Sequence, residues 1–318
     1  MADDRTPDTA VPVDRPRALD RPPRSDLILI AIAVAAVSTS GPLIRVADNA
    51  PAMSIAMWRN ALAALVIVPF ALLTRRDELR QLTRRDWLLC IGAGVVLAAH
   101  FATWIPSLNY TTVASATALV ATQPVWSALI ARFRGEQIVR RGWFGIAVAV
   151  VGAAALSGVD FGISSRAVWG DVLAIMGGIL AGAYVALGGS IRQRVSTTVY
   201  TGICYSTAAL VLLLVSVLGR QPLTGYDATA WWAIIALTVG AQLFGHSVFN
   251  HVLKTTSPTF VSISILFEVA GSVLLAGIFF EEWPTLAAIP AAGLIIAGIV
   301  MVVRAGTRPE VSGVPVME

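Results

Sequence analysis

Ten long apolar runs limit what this chain can become. They fall at 27–46, 52–73, 87–107, 112–132, 142–158, 168–190, 197–218, 230–252, 257–280 and 284–303. A bilayer core takes about 20 residues of helix to cross. No water enters that core, so every backbone N–H and C=O must bond within its own segment, and an isolated run must be a helix. The expected fold class is an all-α membrane protein of ten transmembrane helices. Charged residues make up 13% of the 318, about half the share of a soluble domain. The polar remainder suffices for tails and short loops. Residues 1–25 carry five Arg interleaved with five Asp and five Pro, a composition too polar to fold alone. They also lack the short apolar core of a signal peptide. The expected organisation is a disordered cytoplasmic tail (1–25), five helices (26–158), five more (166–304) and a second tail (305–318).

Charge placement orients the spans. With the N-terminus inside, nineteen of the 23 Lys and Arg lie in the tails and inner loops. Arg45, Arg166 and Arg220 lie outside, and Arg59 lies within the second run. Such asymmetry is the positive-inside pattern. It accounts for the formal charge of +4 without a nucleic-acid partner. Trp87, Trp143, Trp169, Trp231, Trp232 and Trp283 sit at run ends, where interfacial Trp is expected. Arg outnumbers Lys 22 to 1, as in a high-GC bacterium. The expected location is the bacterial inner membrane with both termini cytoplasmic. Cys90 and Cys204 lie in apolar runs and read as small buried hydrophobes.

The chain also repeats itself. Residues 107–136 and 252–281 each pass from a polar turn into an apolar helix that ends on Glu. Leu108 falls on Leu253, Thr111 on Thr256, and Glu136 on Glu281 or, with a one-residue slip, Glu282. The slip also puts Gly152 on Gly298. About 145 residues separate the copies, enough for five spans. An odd number inverts one half relative to the other. Inverted repeats mark many secondary transporters, with substrate bound near the midplane between the halves.

Four stretches carry a family likeness: STSGPLIRVAD, MWRNALAAL, HFATWIPSLNYTTVASATALVATQPVWSALIARFRGE and FGHSVFNHVLKTTSPTFVSISILFEVAGSVLLAGIFFEEWPT. In these the chain resembles the EamA-type transporters of the drug/metabolite transporter superfamily, over roughly 27–303. The resemblance implies two inverted five-helix halves around a central cavity lined mainly by spans one to four and six to nine. It also implies movement of small metabolites such as amino acids. One departure stands out. The family often has Glu-Pro where this chain reads Glu268-Val269, and without that proline the bend in span nine is in question.

Polar residues within the spans are the candidate substrate-binding groups, because their burial in lipid is costly and they usually face a cavity or a partner. Glu268 lies mid-span with Ser264 and Ser272 at i±4 on one helical face. It reads as a protonatable cavity residue or as a carboxyl packed on a polar neighbour. Arg59 offers a planar fork suited to carboxylates. The alternatives are a structural pair or a side chain that snorkels to the interface. His100 and Trp104 are i,i+4 on span three and combine a hydrogen-bonding group with an aromatic wall. Gln242, His246 and Asn250 recur every four residues as a polar stripe on span eight. Gln123, ahead of Pro124, corresponds to Glu268 in the repeat. Ser40, following Ser38 and Thr39, precedes Pro42, and Tyr184 lies in span six. Each of these serves either a cavity or a helix–helix hydrogen bond. Glu136, Glu281 and Glu282 at helix ends read as structural.

No Gly-rich phosphate loop, HExxH or GxSxG is present, so neither ATP hydrolysis nor an enzyme is expected. No His, Cys and carboxylate cluster has metal-ligand spacing, and no cofactor is expected. Few cations lie within the spans, which disfavours phosphorylated substrates. The expectation is a secondary transporter working by alternating access and exporting a small metabolite such as an amino acid, with proton coupling through Glu268 as one option. A membrane sensor or scaffold is the alternative.

Overall fold

The computed structural model describes residues 23–135, 137–192, 194–252, 264–305 and 307–308. Most of both tails, Glu136 and the start of the ninth run lie outside them. Among the described residues, nine helices are long and apolar enough to cross a membrane. They are Arg24–Val46, Ala52–Thr74, Arg84–Ser107, Val113–Phe133, Arg140–Asp160, Ser165–Gly188, Thr197–Leu218, Ala228–Phe249 and Ala288–Ala305. The shorter apolar helix Phe267–Phe280 is the ninth in chain order and completes ten. The fifth span is longer than its apolar run, because the helix extends through Arg140–Ile163. The tenth starts later, at Ala288, after Glu281 ends the ninth in a left-handed cap (φ 58°).

Side chains at the span starts bond backbone donors that a first helical turn leaves orphaned. Thr83 accepts from the Asp86 N–H while the Asp86 carboxylate accepts from the Thr83 N–H, a capping box that starts span three. Thr112, Ser164, Ser196 and Asp227 accept from N–H groups three residues on and start spans four, six, seven and eight.

Much of the packing reproduces itself when each span is exchanged for the one five later, although the contacts of span five with six and of span ten with four have no matching counterpart among the described residues. Span three packs on span six, and span eight on span one. Span four packs on six, and nine on one; span three packs on seven, and eight on two. The pairs two–seven, four–nine and five–ten each map onto themselves. The close contact of spans five and ten gives the direction. A Cβ on Gly152 would meet the Ile295 N at 2.7 Å and the Ala291 O at 3.0 Å, whereas one on Gly298 would strike the Ala149 N and the Gly145 O. The residue number rises along one helix as it falls along the other, so the two spans are antiparallel. The two contacts also exchange under a shift of 146 residues, the register read from the Gly152–Gly298 match. The protein is a ten-helix bundle of two inverted five-helix repeats.

Lipid gives helices no hydrophobic reason to associate, so close backbone approach at small residues does much of the joining. A methyl group or larger at Gly298 would meet backbone rather than a side chain able to move. Gly298→Val is expected to destabilise the fold by about 1–3 kcal/mol, the usual cost of overpacking. Thermal unfolding in detergent measures it, with Gly293→Val, where nothing lies within 4 Å of the added Cβ, expected to change little.

Candidate functional site

Three spans are interrupted at mid-height. Span one breaks at Thr39, between Arg24–Ser38 and Ser40–Val46. Pro42 has no N–H to give the Ser38 carbonyl four residues back, and the Ser272 hydroxyl donates to that carbonyl instead, at 2.8 Å. Span four breaks at Ala121–Thr122, just before Gln123 and Pro124. Span nine breaks at Leu266, just before Glu268, and the Val269 N–H turns back to the Leu266 carbonyl at 3.2 Å. Ala121 and Leu266 are 145 residues apart, so the breaks obey the repeat. The helical pattern of span nine is therefore interrupted at Leu266 without the proline. Span eight departs from α geometry differently, running as π-helix over Thr238–His246. Such segments are rare and often accompany function.

These irregularities border a central cavity of about 460 Å³. Eight of the ten sequence candidates line it: Ser40, His100, Trp104, Gln123, Tyr184, Gln242, His246 and Glu268. Trp104 is buried in the bundle and stacks on His100 with centroids 5.9 Å apart. His100 Nδ1 lies 2.9 Å from the Gly177 carbonyl, which fixes its ring against span six. Tyr184 stacks on Tyr200 at 6.0 Å. Ser272 shares a helical face with Glu268 and is spent on span one, leaving Glu268 as the carboxyl in the wall. Phe101, Tyr200, Tyr205 and Phe249 also line the cavity and were missed in the sequence. Aromatic residues in an apolar run carry no periodic mark that separates a cavity wall from a lipid face.

Arg59 does not line the cavity but lies behind it. It is fully buried, so the snorkelling alternative does not apply. Its Nε donates to Gln242 Oε1 at 2.7 Å, and its guanidinium carbon lies 4.3 Å from the Phe101 ring centroid. Gln242 Nε2 in turn donates to Asn60 Oδ1 at 3.1 Å. Neither terminal nitrogen of Arg59 has a hydrogen-bond partner among the described residues. The Asn250 side chain lies outside the described residues.

The cavity reaches from Glu268 to Ala131, Arg192 and Val303, at the end of the bundle that carries the basic loops. The opposite end is closed. There Arg45 donates to the Leu108 carbonyl at 2.6 Å and to Glu282 at 3.0 Å, while Glu282 also accepts from the Val113 N–H. Glu282 thus has the structural role expected of it, as a contact between the halves. Trp58 and Ser54 donate to the Leu223 and Pro222 carbonyls and hold span two to the loop between spans seven and eight on the same end.

Comparison with known proteins agrees with this architecture. The EamA-like transporter family matches twice, over residues 24–158 and 168–304. The chain belongs to the EamA-like transporter family and is a multi-pass membrane transporter rather than an enzyme. It is 24% identical over 284 residues to the pseudopaline exporter CntI of Pseudomonas aeruginosa, covering 89% of this chain and 94% of that one. It is 23% identical over 251 residues to an uncharacterized transporter of Archaeoglobus fulgidus, covering 77% and 86%. A solved crystal structure shares the fold with a TM-score of 0.64 at 20% identity, over 87% of this chain and 96% of that one.

Gln242 is the one side chain that hydrogen-bonds the buried guanidinium among the described residues. Gln242→Leu is expected to cost about 3–5 kcal/mol, as when a buried charge loses its partner. Gln123→Leu, at a half-buried wall position, is expected to cost far less. Unfolding of the two variants in detergent compares them.

Proposed function

We propose that this transporter exports a small zwitterionic or amphipathic metabolite, with a neutral or aromatic amino acid as the first candidate. In this reading the cavity opens to the cytoplasm and the two halves rock around it. The observation that carries the proposal is the cavity itself. It lies where three helices are broken, its mainly aliphatic wall carries the rings of Phe101, Trp104, Tyr184, Tyr200, Tyr205 and Phe249, and among the described residues it presents a single carboxyl, Glu268. Interrupted helices at a repeat interface are where secondary transporters place their substrate. An ammonium group fits between Glu268 and the His100–Trp104 stack, where charge attraction and a cation–π contact act together. Gln123, Gln242, His246, Ser40 and Tyr184 supply hydrogen-bonding partners. Arg59 meets a substrate carboxylate only if Gln242 or Phe101 moves. The CntI relative is named an exporter, which supports export, and the positive-inside pattern supports a cytoplasmic cavity mouth.

Two experiments test this. Thermal stability of the purified protein against amino acids, polyamines, sugars and nucleosides is expected to rise specifically with amino acids, by about 1.4 kcal/mol at ten times the dissociation constant. A response confined to another class would replace the substrate assignment. In proteoliposomes, Glu268→Gln is expected to abolish pH-dependent exchange while leaving expression intact. Unchanged pH dependence removes Glu268 from proton coupling. A protein that serves as a sensor or scaffold would give no saturable flux with any compound.

A further inference from the structure

A second buried polar cluster lies at the closed end, apart from the central cavity. Asp160 ends span five and Asp171 lies in the second turn of span six. Both are buried, Asp171 completely. Neither oxygen of Asp171 meets a partner in full hydrogen-bond geometry among the described residues, although Ser157, Thr111 and Asp160 lie close enough to interact with it. Thr111 donates its hydroxyl to Asp160 at 3.2 Å. No basic side chain forms an ion pair with either carboxylate among the described residues. Arg166 is turned onto the Tyr110 ring, 5.1 Å from its centroid, with a terminal nitrogen 3.5 Å from the Asn109 carbonyl. Arg45 is engaged by Leu108, Thr111 and Glu282.

Two carboxylates in a low-dielectric interior repel each other, and each is costly to bury without a positive partner. The described residues supply none, and the Asp171 oxygens there lack a partner in full hydrogen-bond geometry. We infer that Asp160, Asp171, Ser157 and Thr111 form a binding site for a hard, oxygen-seeking cation, such as sodium or calcium. The ligand chemistry favours this class. Carboxylate and hydroxyl oxygens suit hard cations, whereas His and Cys would be wanted for zinc or copper. Among the described residues no group of three or more His, Cys, Asp or Glu side chains could hold a metal ion of any kind, so the two carboxylates would need the hydroxyl oxygens to complete the ligand set. A separate, mostly apolar cavity of about 250 Å³ between spans four, five and six has Ser157 in its wall but neither carboxylate.

The site is joined to the closure of this end. Thr111 contributes its hydroxyl to the cluster and its carbonyl to Arg45, at 3.3 Å. A cation that fixes Thr111 also holds the acceptor side of the Arg45 contact. Cation occupancy therefore favours the closed outer end.

The test uses the full chain in detergent with choline chloride as the reference salt at constant ionic strength. Replacing choline in turn by sodium, potassium, calcium or magnesium is expected to raise Tm saturably for at least one hard cation. The separate arms identify which. Asp171→Asn is expected to abolish the response. Ser157→Ala, a mild change at a half-buried position, is expected to raise the half-saturating concentration roughly tenfold, as loss of a supporting group does. Should Asp171→Asn fail to fold, Ser157→Ala decides the matter alone. The inference is overturned if no cation moves Tm beyond choline. It is also overturned if the variants respond as the unmodified protein does, or if Tm follows pH and ignores every cation, because the carboxylates then hold a proton.

Discussion

A guanidinium held inside a membrane bundle constrains much of what surrounds it. Arg59 is wholly removed from solvent and rests on one amide oxygen and one aromatic face. Insertion scales charge about 2.5–3.5 kcal/mol for an arginine at the centre of a helix, and such residues persist where they pair or face a cavity. Here the pairing draws span eight, through Gln242, and span three, through Phe101, against span two. Those two spans also supply His100, Trp104 and His246 to the cavity wall. The need to shelter Arg59 thus sets the spacing of three of the helices that build the site, and leaves its two terminal nitrogens beside the cavity with no hydrogen-bond partner among the described residues.

The inverted repeat explains why the irregular backbone lies where it does. A broken helix exposes N–H and C=O groups, which lipid does not tolerate but a cavity or a neighbouring hydroxyl does. The breaks at Ala121–Thr122 and Leu266 are related by the repeat, and both lie at the cavity. At Thr39 the freed carbonyl is taken up by Ser272 from the other half. The two halves therefore complete each other's hydrogen bonds at mid-height, while Arg45 and Glu282 join them at one end. That combination gives one closed end and one open end, and an exchange of roles between the halves would reverse them.

Much of this was legible in the chain itself. The helices follow from apolar length alone, because lipid leaves the backbone no other option. The inversion was readable from Glu136 falling on Glu281 or Glu282 and Gly152 on Gly298. Eight polar candidates stood out because a polar side chain in an apolar run is conspicuous. Other features left no such mark. Tyr200 and Tyr205 look like any membrane aromatics. The π-helix over Thr238–His246 is a choice among backbone hydrogen bonds that side-chain periodicity does not record. The interruption before Glu268 forms without a proline at 269, while the start of the span, before residue 264, lies outside the described residues. Asp160 and Asp171 sit near run ends, where carboxylates are ordinary, and only their burial distinguishes them. Arg59 was conspicuous, but its distance from the cavity wall depends on how spans two, three and eight pack.

The central claim is that one cavity is reached from the two faces of the membrane in turn. The most direct measurement is cysteine accessibility at Ser127, a cavity-wall position, placed as Ser127→Cys in a chain with Cys90 and Cys204 replaced. Oriented vesicles are labelled with a membrane-impermeant maleimide from either side. The account predicts labelling from the basic-loop side in the resting protein. It predicts a shift toward the opposite side when Glu282→Gln removes the ion pair with Arg45. Labelling that stays on one side in both proteins, or that proceeds equally from both sides in the resting protein, would contradict it, the first indicating a static vestibule and the second a channel.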